Sequence, residues 1–220
     1  MARLDLTRHP HGHGIINTQP SCEYFMSNSI QPFPSISIAD AQRDMRSGYY
    51  GGAPGMLTSA LMWLVAGVVA ARISPERAVW ALFLGGMLIF PVSKLVCRAV
   101  FHRENESYGN PLGMTVLECT IAMIGGLFAA WLFLPSKPML VFPLSAIAVG
   151  THYFVFKTVY GDRSFWLLAG IVTAIGFGDI YAAPMRGSTA LLVSLTELAF
   201  GIILVIRATR SNRAAVAPID

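Results

Sequence analysis

Charged residues are scarce in this chain, and their scarcity excludes several classes of protein. Asp, Glu, Lys and Arg make up 13% of the 220 residues, about half of the roughly 25% found in soluble domains. A soluble domain of this size needs more charge to cover its surface, and a disordered chain has fewer apolar residues than the 54% present here. The composition therefore excludes a disordered chain and an ordinary cytosolic enzyme.

Cysteine is also scarce, and the familiar cofactor and enzyme motifs are missing. The three cysteines, Cys22, Cys97 and Cys119, are odd in number and lack metal-ligand spacing, which argues against a disulfide scaffold or a metal site. The chain has no Walker loop, dinucleotide fingerprint, zinc-protease helix or nucleophile elbow. We therefore expect no cofactor and no metal, and favour a non-catalytic protein over an enzyme.

Long apolar runs separated by charged residues are what the chain does contain. A helix of about 20 residues crosses the roughly 30 Å hydrocarbon core of a bilayer. Six segments are long enough: 55–73, 78–98, 113–134, 138–157, 164–183 and 187–207. Because these runs are solid rather than alternating, they exclude a β-barrel. The sequence predicts an all-α, polytopic transmembrane helix bundle of six spans.

The basic residues predict the orientation of this bundle. They lie scattered at the ends of the apolar runs rather than in one patch, which argues against nucleic-acid binding and for a bilayer partner. With six spans, the N-terminal segment, two of the connections and the C-terminal end lie on one side of the membrane. That side has ten basic residues near the ends of the spans, and the other side has four. By the positive-inside rule, we expect both termini in the cytoplasm. The ten are Arg43, Arg46, Lys94, Arg98, Arg103, Lys157, Arg163, Arg207, Arg210 and Arg213.

The first 50 residues differ from the rest of the chain. They hold four prolines, many Ser and Asn residues and no regular apolar period, which predicts a polar, disordered tail. The alternative is that translation starts downstream, for instance at Met26. Three alternating histidines, His9, His11 and His13, fit a solvated tail better than a metal site. We expect a short interfacial helix over 40–50, then a membrane domain over 51–208 and a C-terminal tail over 209–220.

Polar residues inside the predicted spans are the candidate proton or solute site, because a charge in the bilayer core is costly and needs a reason. They are Lys94, Glu118, His152, Asp179 and Glu197. Glu197 lies near the middle of the sixth span, where a proton or cation site and a protonated carboxyl bonded to a neighbouring helix are equally good interpretations. Lys94 and Glu118 fall in the same third of the membrane, so they are expected to pair, or Lys94 to extend to the headgroups.

Two further candidates each have an alternative interpretation that is purely structural. His152 suits proton transfer, but a single hydrogen-bonded histidine in a helix is the more frequent outcome. Asp179 follows Gly176 and Gly178, which are expected either to unwind the fifth span and expose backbone carbonyls or to mark a helix end that meets water.

Prolines and small residues shape the predicted helices. Pro91 and Pro143 each fall inside a predicted span and are expected to kink it. Gly170, Ala174 and Gly178 recur every four residues on the fifth span. Such a ladder gives a flat face for close packing, within the bundle or between subunits of a homo-oligomer.

Three stretches resemble a family of small bacterial multi-pass membrane proteins of unknown function. They are Phe90-Pro-Val-Ser-Lys-Leu95, Asn110-Pro-Leu-Gly113 and Ala146-Ile-Ala-Val-Gly-Thr-His-Tyr-Phe154. The resemblance covers roughly residues 38–208 and leaves the first 35 or so outside. It implies a bacterial inner-membrane bundle and brings no activity or functional residue with it.

Three functions fit the sequence. The favoured one is a small-solute or proton-coupled transporter, because of the polar residues and prolines within the spans. The alternative is a non-catalytic membrane component that self-associates or binds a partner through its small-residue face. An intramembrane enzyme acting on lipid ranks last, since it depends on Lys94, Glu118 and His152 forming one polar cluster.

Overall fold

The computed structural model describes residues 36–103, 106–181 and 188–216. The chain divides into two units, Met1–Ser35 and Ile36–Asp220, and the features described below belong to the second. The predictions about His9, His11, His13 and Cys22 lie outside the described residues and stay predictions. So does the disordered tail, as far as residue 35.

Helices account for 86% of the described residues, which contain no strand. A short helix α1 is followed by six helices that are long and apolar enough to cross a membrane, so the predicted six-span bundle is confirmed. The predicted spans match these helices to within a few residues, except that the last helix continues to Val216. The helices are α1 (Ile38–Gly48), α2 (Ala53–Arg72), α3 (Pro75–Ala99), α4 (Pro111–Trp131), α5 (Val141–Tyr160), α6 (Ser164–Tyr181) and α7 (Thr189–Val216).

Local capping signals fix where several helices begin. The Ser74 hydroxyl accepts a hydrogen bond of 3.2 Å from the backbone N–H of Arg77, so it caps α3. The Asn110 side-chain oxygen accepts one of 3.0 Å from the N–H of Leu112, so it caps α4. A proline follows each cap, where its fixed φ suits the first turn and its missing N–H costs nothing.

The bundle is built around α2 and α5. Helix α2 packs against α3 and α7, α5 packs against α4 and α6, and α6 also packs against α7. Although α3 and α4 are consecutive, they barely contact each other. About 44% of the first span is buried within the protein but only 6% of α4, so α4 lies at the edge of the bundle, across a gap from α3.

Helix α1 lies across one end of the bundle. This end also carries the α3–α4 connection, the α5–α6 connection and the last turns of α7, and we call it the α1 side; the other end is the opposite side. The Gln42 side chain donates a hydrogen bond of 2.7 Å to the carbonyl oxygen of Thr158 at the end of α5. The short helix expected over 40–50 is therefore present and packs on the ends of the spans. Its buried face is formed by Ala41, Met45 and Gly48, at helical spacing.

Two glycines bring α5 and α6 close together. A Cβ atom at Gly150 would lie 2.6 Å from the backbone nitrogen of Thr173, and one at Gly176 would lie 2.6 Å from the carbonyl oxygen of Pro143. Since real Cβ atoms do not approach backbone so closely, only glycine fits at these contacts.

The predicted ladder does not make these contacts. A Cβ atom at Gly170 or Gly178 would meet nothing within 4 Å, and Ala174 is exposed. The ladder therefore faces away from the rest of the described bundle. Its expected packing within the bundle is wrong, and its role between subunits stays a prediction.

The two prolines also differ from each other. Pro91 lies inside α3, which continues as one helix through it. Pro143 is the third residue of α5, and α5 begins directly after the 3₁₀ turn Pro138–Leu140. The expectation that Pro143 interrupts a helix is wrong, because a proline in the first turn removes no hydrogen bond of the helix.

Candidate functional site

Glu197 is buried in the centre of the bundle, on the span formed by Thr189–Ser211. Its Oε1 accepts a hydrogen bond of 2.6 Å from the Tyr153 hydroxyl of α5. The Ser59 hydroxyl of α2 lies 3.3 Å from the same Tyr153 oxygen. Glu197 Oε2 is buried and has no hydrogen-bond partner in the described part of the chain. Three helices thus meet at a carboxyl group that is only half satisfied.

Tyr153 and Ser59 also border a cavity of about 190 Å³. Its walls come from α1 to α5 and are mostly apolar and aromatic, including Trp63, Phe90 and Phe156. Glu197 itself does not line this cavity. Tyr153 is therefore shared: its side chain lines the cavity, and its hydroxyl donates to a carboxyl group that does not.

The cavity is the middle part of a longer gap between α3 and α4, which we call the α3–α4 cleft. Toward the opposite side it adjoins a cavity of about 120 Å³, and the two share Leu82 and Leu127 in their walls. Toward the α1 side it adjoins a wider mouth of about 910 Å³, and these two share Tyr49, Phe90 and Thr120 among others. The cleft follows the seam where α3 and α4 fail to pack.

Lys94 and Glu106 stand at the mouth of the cleft. Lys94 Nζ donates to Glu106 Oε2 at 2.6 Å, and the Tyr49 hydroxyl donates to Oε1 at 2.8 Å. Partial burial raises the pKa of Glu106, but the hydrogen bonds from Lys94 and Tyr49 outweigh it, so the net pKa lies below its ordinary value. Burial and the bond to Glu106 raise the pKa of Tyr49.

Glu118 does not join this group. The expected pairing of Lys94 with Glu118 is wrong: Lys94 binds Glu106 in the α3–α4 connection, and Glu118 forms no ion pair within the described ranges. Glu118 is exposed on α4 and lines neither the cavity nor its mouth. The polar cluster of Lys94, Glu118 and His152 on which a lipid-modifying enzyme depends is therefore not formed.

His152 lies on the wall of the cavity, next to Tyr153. Its ring packs edge-on against Phe156, with ring centroids 4.7 Å apart. Its Nδ1 is buried and has no hydrogen-bond partner among the described residues. His152 is thus a mostly buried side chain in the cavity wall, packed among aromatic rings.

Asp179 lies at the opposite side of the membrane domain. Its Oδ2 accepts a hydrogen bond from the Thr189 hydroxyl, and its buried Oδ1 has no partner in the described segments. It borders a separate cavity of about 340 Å³. Helix α6 runs unbroken through Gly176, Gly178 and Asp179 to Tyr181, so the expected unwinding is wrong.

Sequence reasoning missed three residues of this arrangement. Tyr153 stands directly after His152, and Ser59 is one small polar residue in an apolar run, so neither carries a charge that marks it. Glu106 lies outside the spans, where charges are ordinary. A search for hydroxyl groups within helical reach of a buried carboxyl would have pointed to Tyr153.

Six apolar membrane-crossing helices, polar groups held between them and a cleft within the membrane domain define an integral, multi-pass membrane protein. A family of unknown function, DUF7010, matches residues 38–207, and the chain belongs to this family. The resemblance to an unknown-function family over roughly 38–208 is thereby confirmed. No curated protein matches the chain, and no solved structure does.

Proposed function

We propose that this protein is a proton-coupled transporter of a small solute, with Glu197 as the group that takes up and releases the proton. The observation that carries the proposal is Tyr153, which lines the α3–α4 cleft and whose hydroxyl donates to buried Glu197 at 2.6 Å. A carboxyl in the bilayer core is costly and marks a functional site by default.

The incomplete hydrogen bonding of Glu197 supports this role. A buried carboxyl that served only as a strut would gain from having both oxygens satisfied, because an unsatisfied buried polar atom costs about 1–3 kcal/mol. Glu197 Oε2 has no such partner within the described residues. An oxygen left free in this way is available to a proton or to a hydrogen-bonding group of a solute.

The arrangement of the cavities also supports transport. The cleft reaches Tyr153, the partner of Glu197, from the α1 side, and a separate cavity lies beside Asp179 on the opposite side. Access to a central site from each side in turn is what transporters require. The mostly aromatic and apolar cavity walls, with His152, Ser59 and Tyr153 among them, suit a small solute that has one polar group.

We also propose that the α1 side faces the cytoplasm and that the protein lies in the inner membrane. The ten basic residues near span ends against four give this orientation by the positive-inside rule. The mouth of the cleft, with Lys94 and Glu106, then opens to the cytoplasm.

The test is proton flux into liposomes that contain the purified protein and a pH-sensitive dye. A membrane potential drives protons inward, and wild-type protein is expected to raise the uptake rate at least tenfold over protein-free liposomes. Glu197→Gln keeps the size and hydrogen bonding of the side chain but cannot carry a proton, so its flux should fall to the protein-free level.

The matched control is Glu76→Gln, the same substitution at an exposed carboxylate in the first turn of α3. It should conduct as wild type does. Full flux through Glu197→Gln would remove the proposed role of Glu197, because protons would then cross without it.

A second candidate function is self-association through the ladder of Gly170, Ala174 and Gly178. The observation that favours it is that the ladder points away from the bundle, with open space at both glycines. Ala174→Leu places a bulky side chain at the centre of the ladder and is expected to turn a dimer into a monomer in nanodiscs, measured by mass photometry or light scattering. An unchanged particle mass would show that this face is not a contact between subunits.

A further inference from the structure

A polar cavity lies on the α1 side, separated from the α3–α4 cleft by Tyr160, which lines both. Its volume is about 450 Å³, and its walls come from α1, the 3₁₀ turn Tyr50–Gly52 before α2, the two connections on this side, the end of α5 and α7. We call it the arginine pocket, because four arginines line it: Arg43, Arg46, Arg103 and Arg207.

The charges of the arginine pocket are not balanced by its own carboxylates. Asp162 is the acidic residue in its wall, and it pairs with Arg207 at 3.2 Å. Arg43 pairs with Asp40 on the exposed surface of α1. These two ion pairs leave two guanidinium groups, those of Arg46 and Arg103, without a carboxylate partner in the described part of the chain.

The surroundings hold these two guanidinium groups in place without neutralising them. Arg46 donates to the carbonyl oxygen of Tyr160 at 2.5 Å, which caps the end of α5 but supplies no charge. Arg103 lies over the ring of Tyr50, 5.5 Å from its centroid, and its Nε is buried without a hydrogen-bond partner among the described residues. A buried donor of this kind costs free energy until an acceptor binds.

We propose that the arginine pocket binds a phosphate group. Guanidinium groups bind phosphate through paired hydrogen bonds and keep their charge at any physiological pH. Two unneutralised arginines and one free Nε match an anion with several acceptor oxygens better than they match a neutral or cationic ligand. The site uses neither Glu197 nor Tyr153, so it is independent of the proposed transport function.

Two sources supply such a phosphate: the headgroup of an anionic lipid and free phosphate or a soluble phosphate ester. The pocket lies at the ends of the spans, and Leu204 and Ala208 of α7 form part of its wall. Basic pockets between membrane helices at this depth bind anionic headgroups, whereas the volume of the pocket also admits a soluble phosphate.

The experiment measures the thermal unfolding temperature, Tm, of the full chain in neutral detergent micelles. One arm adds inorganic phosphate against chloride at equal ionic strength, and the other adds phosphatidylglycerol against phosphatidylcholine. We expect a rise in Tm of several degrees with phosphatidylglycerol, with phosphate, or with both. A response to the lipid alone assigns the site to a headgroup, and a response to inorganic phosphate assigns it to free phosphate.

The double variant Arg46→Gln/Arg103→Gln should bind at least tenfold more weakly, judged from the concentration that gives half of the Tm rise. The control Arg98→Gln removes an exposed charge at the end of α3 on the α1 side, outside the pocket, and should respond as wild type.

The double variant Arg46→Lys/Arg103→Lys keeps the charge and should lose less affinity, which gives a second measure if the glutamine variant does not fold. No selective rise in the wild type, or an equal rise in a folded double variant, would overturn the proposal.

Discussion

The α1 side and the interior of the bundle hold their carboxyl groups in different ways. On the α1 side, Glu106 accepts hydrogen bonds from Lys94 and Tyr49 at 2.6 and 2.8 Å, one on each oxygen. In the interior, Glu197 Oε1 accepts a hydrogen bond from Tyr153, and Oε2 has no hydrogen-bond partner among the described residues. The more deeply buried carboxyl is therefore the less satisfied one.

A second pair of carboxyl groups shows the same contrast. Asp44 of α1 accepts from the Ser107 backbone at 2.9 Å and from the Asn110 side chain at 2.8 Å. Asp179 of α6 accepts from Thr189 through one oxygen, and its other oxygen is unpartnered in the described segments. Saturated carboxylates near water fasten α1 to the bundle, whereas Glu197 and Asp179 inside the membrane domain each keep one oxygen without a partner among the described residues.

The largest effect is expected when the same substitution, tyrosine to phenylalanine, is made next to the carboxyl group in each region. Tyr153→Phe removes the 2.6 Å hydrogen bond that the Tyr153 hydroxyl donates to Glu197 and should lower the free energy of unfolding by about 1–3 kcal/mol. Tyr49→Phe removes one of two donors to Glu106, which keeps Lys94. It should cost about 0.5–1.5 kcal/mol. Unfolding titrations in mixed micelles measure both.

Exposed Tyr108 provides the control for these two variants, since Tyr108→Phe should leave the free energy of unfolding unchanged. Equal losses for Tyr153→Phe and Tyr49→Phe, or a larger loss for Tyr49→Phe, would break the comparison, because Glu197 would then rely on its hydroxyl partner no more than Glu106 does.

A smaller effect is the pH dependence of α1 docking. Burial raises the pKa of Asp44 and of Glu106, but hydrogen bonds from Asn110 and Ser107, and from Lys94 and Tyr49, bring both below their ordinary values of 3.8 and 4.5. The docked state therefore binds fewer protons than the undocked state. Docking is fully favoured above the ordinary values and is lost as the pH falls through the lowered ones.

Hydrogen exchange of the α1 amides, corrected for the intrinsic rate, measures this dependence. Protection over Ile38–Gly48 should persist at neutral pH and fall on acidification below about pH 4. Glu106→Gln should weaken protection at neutral pH and flatten its dependence on pH. Protection that increases on acidification would contradict the role given to these carboxylates.

The sequence sufficed for the fold because length and hydropathy decide which segments cross a bilayer. The six spans, the short helix before them and the caps at Ser74 and Asn110 all depend on local composition. The partners of the polar residues depend instead on how helices rotate and pack. Lys94 binds Glu106 rather than Glu118 because Glu118 faces outward on α4, and a spacing along one helix does not reveal that.

The candidate site was therefore predictable in part. Glu197 is conspicuous as a charge in the middle of an apolar run, and the structure buries it completely. Tyr153 is not conspicuous, because tyrosine is common in membrane helices. The small-residue ladder was misleading in another way: the glycines that hold α5 against α6 are Gly150 and Gly176, where backbone approaches closely, and a four-residue repeat does not identify them.

The most direct test of the central claim is infrared difference spectroscopy of the reconstituted protein on a pH step, with wild type compared against Glu197→Gln. If Glu197 exchanges protons with the cleft through Tyr153, the band of a protonated carboxyl should change in the wild type, disappear from the Glu197→Gln spectrum and change more slowly in Tyr153→Phe. A carboxyl band that stays constant across the pH step, or a change that persists in Glu197→Gln, would contradict the account. Glu197 would then be a hydrogen-bonding strut between α5 and α7.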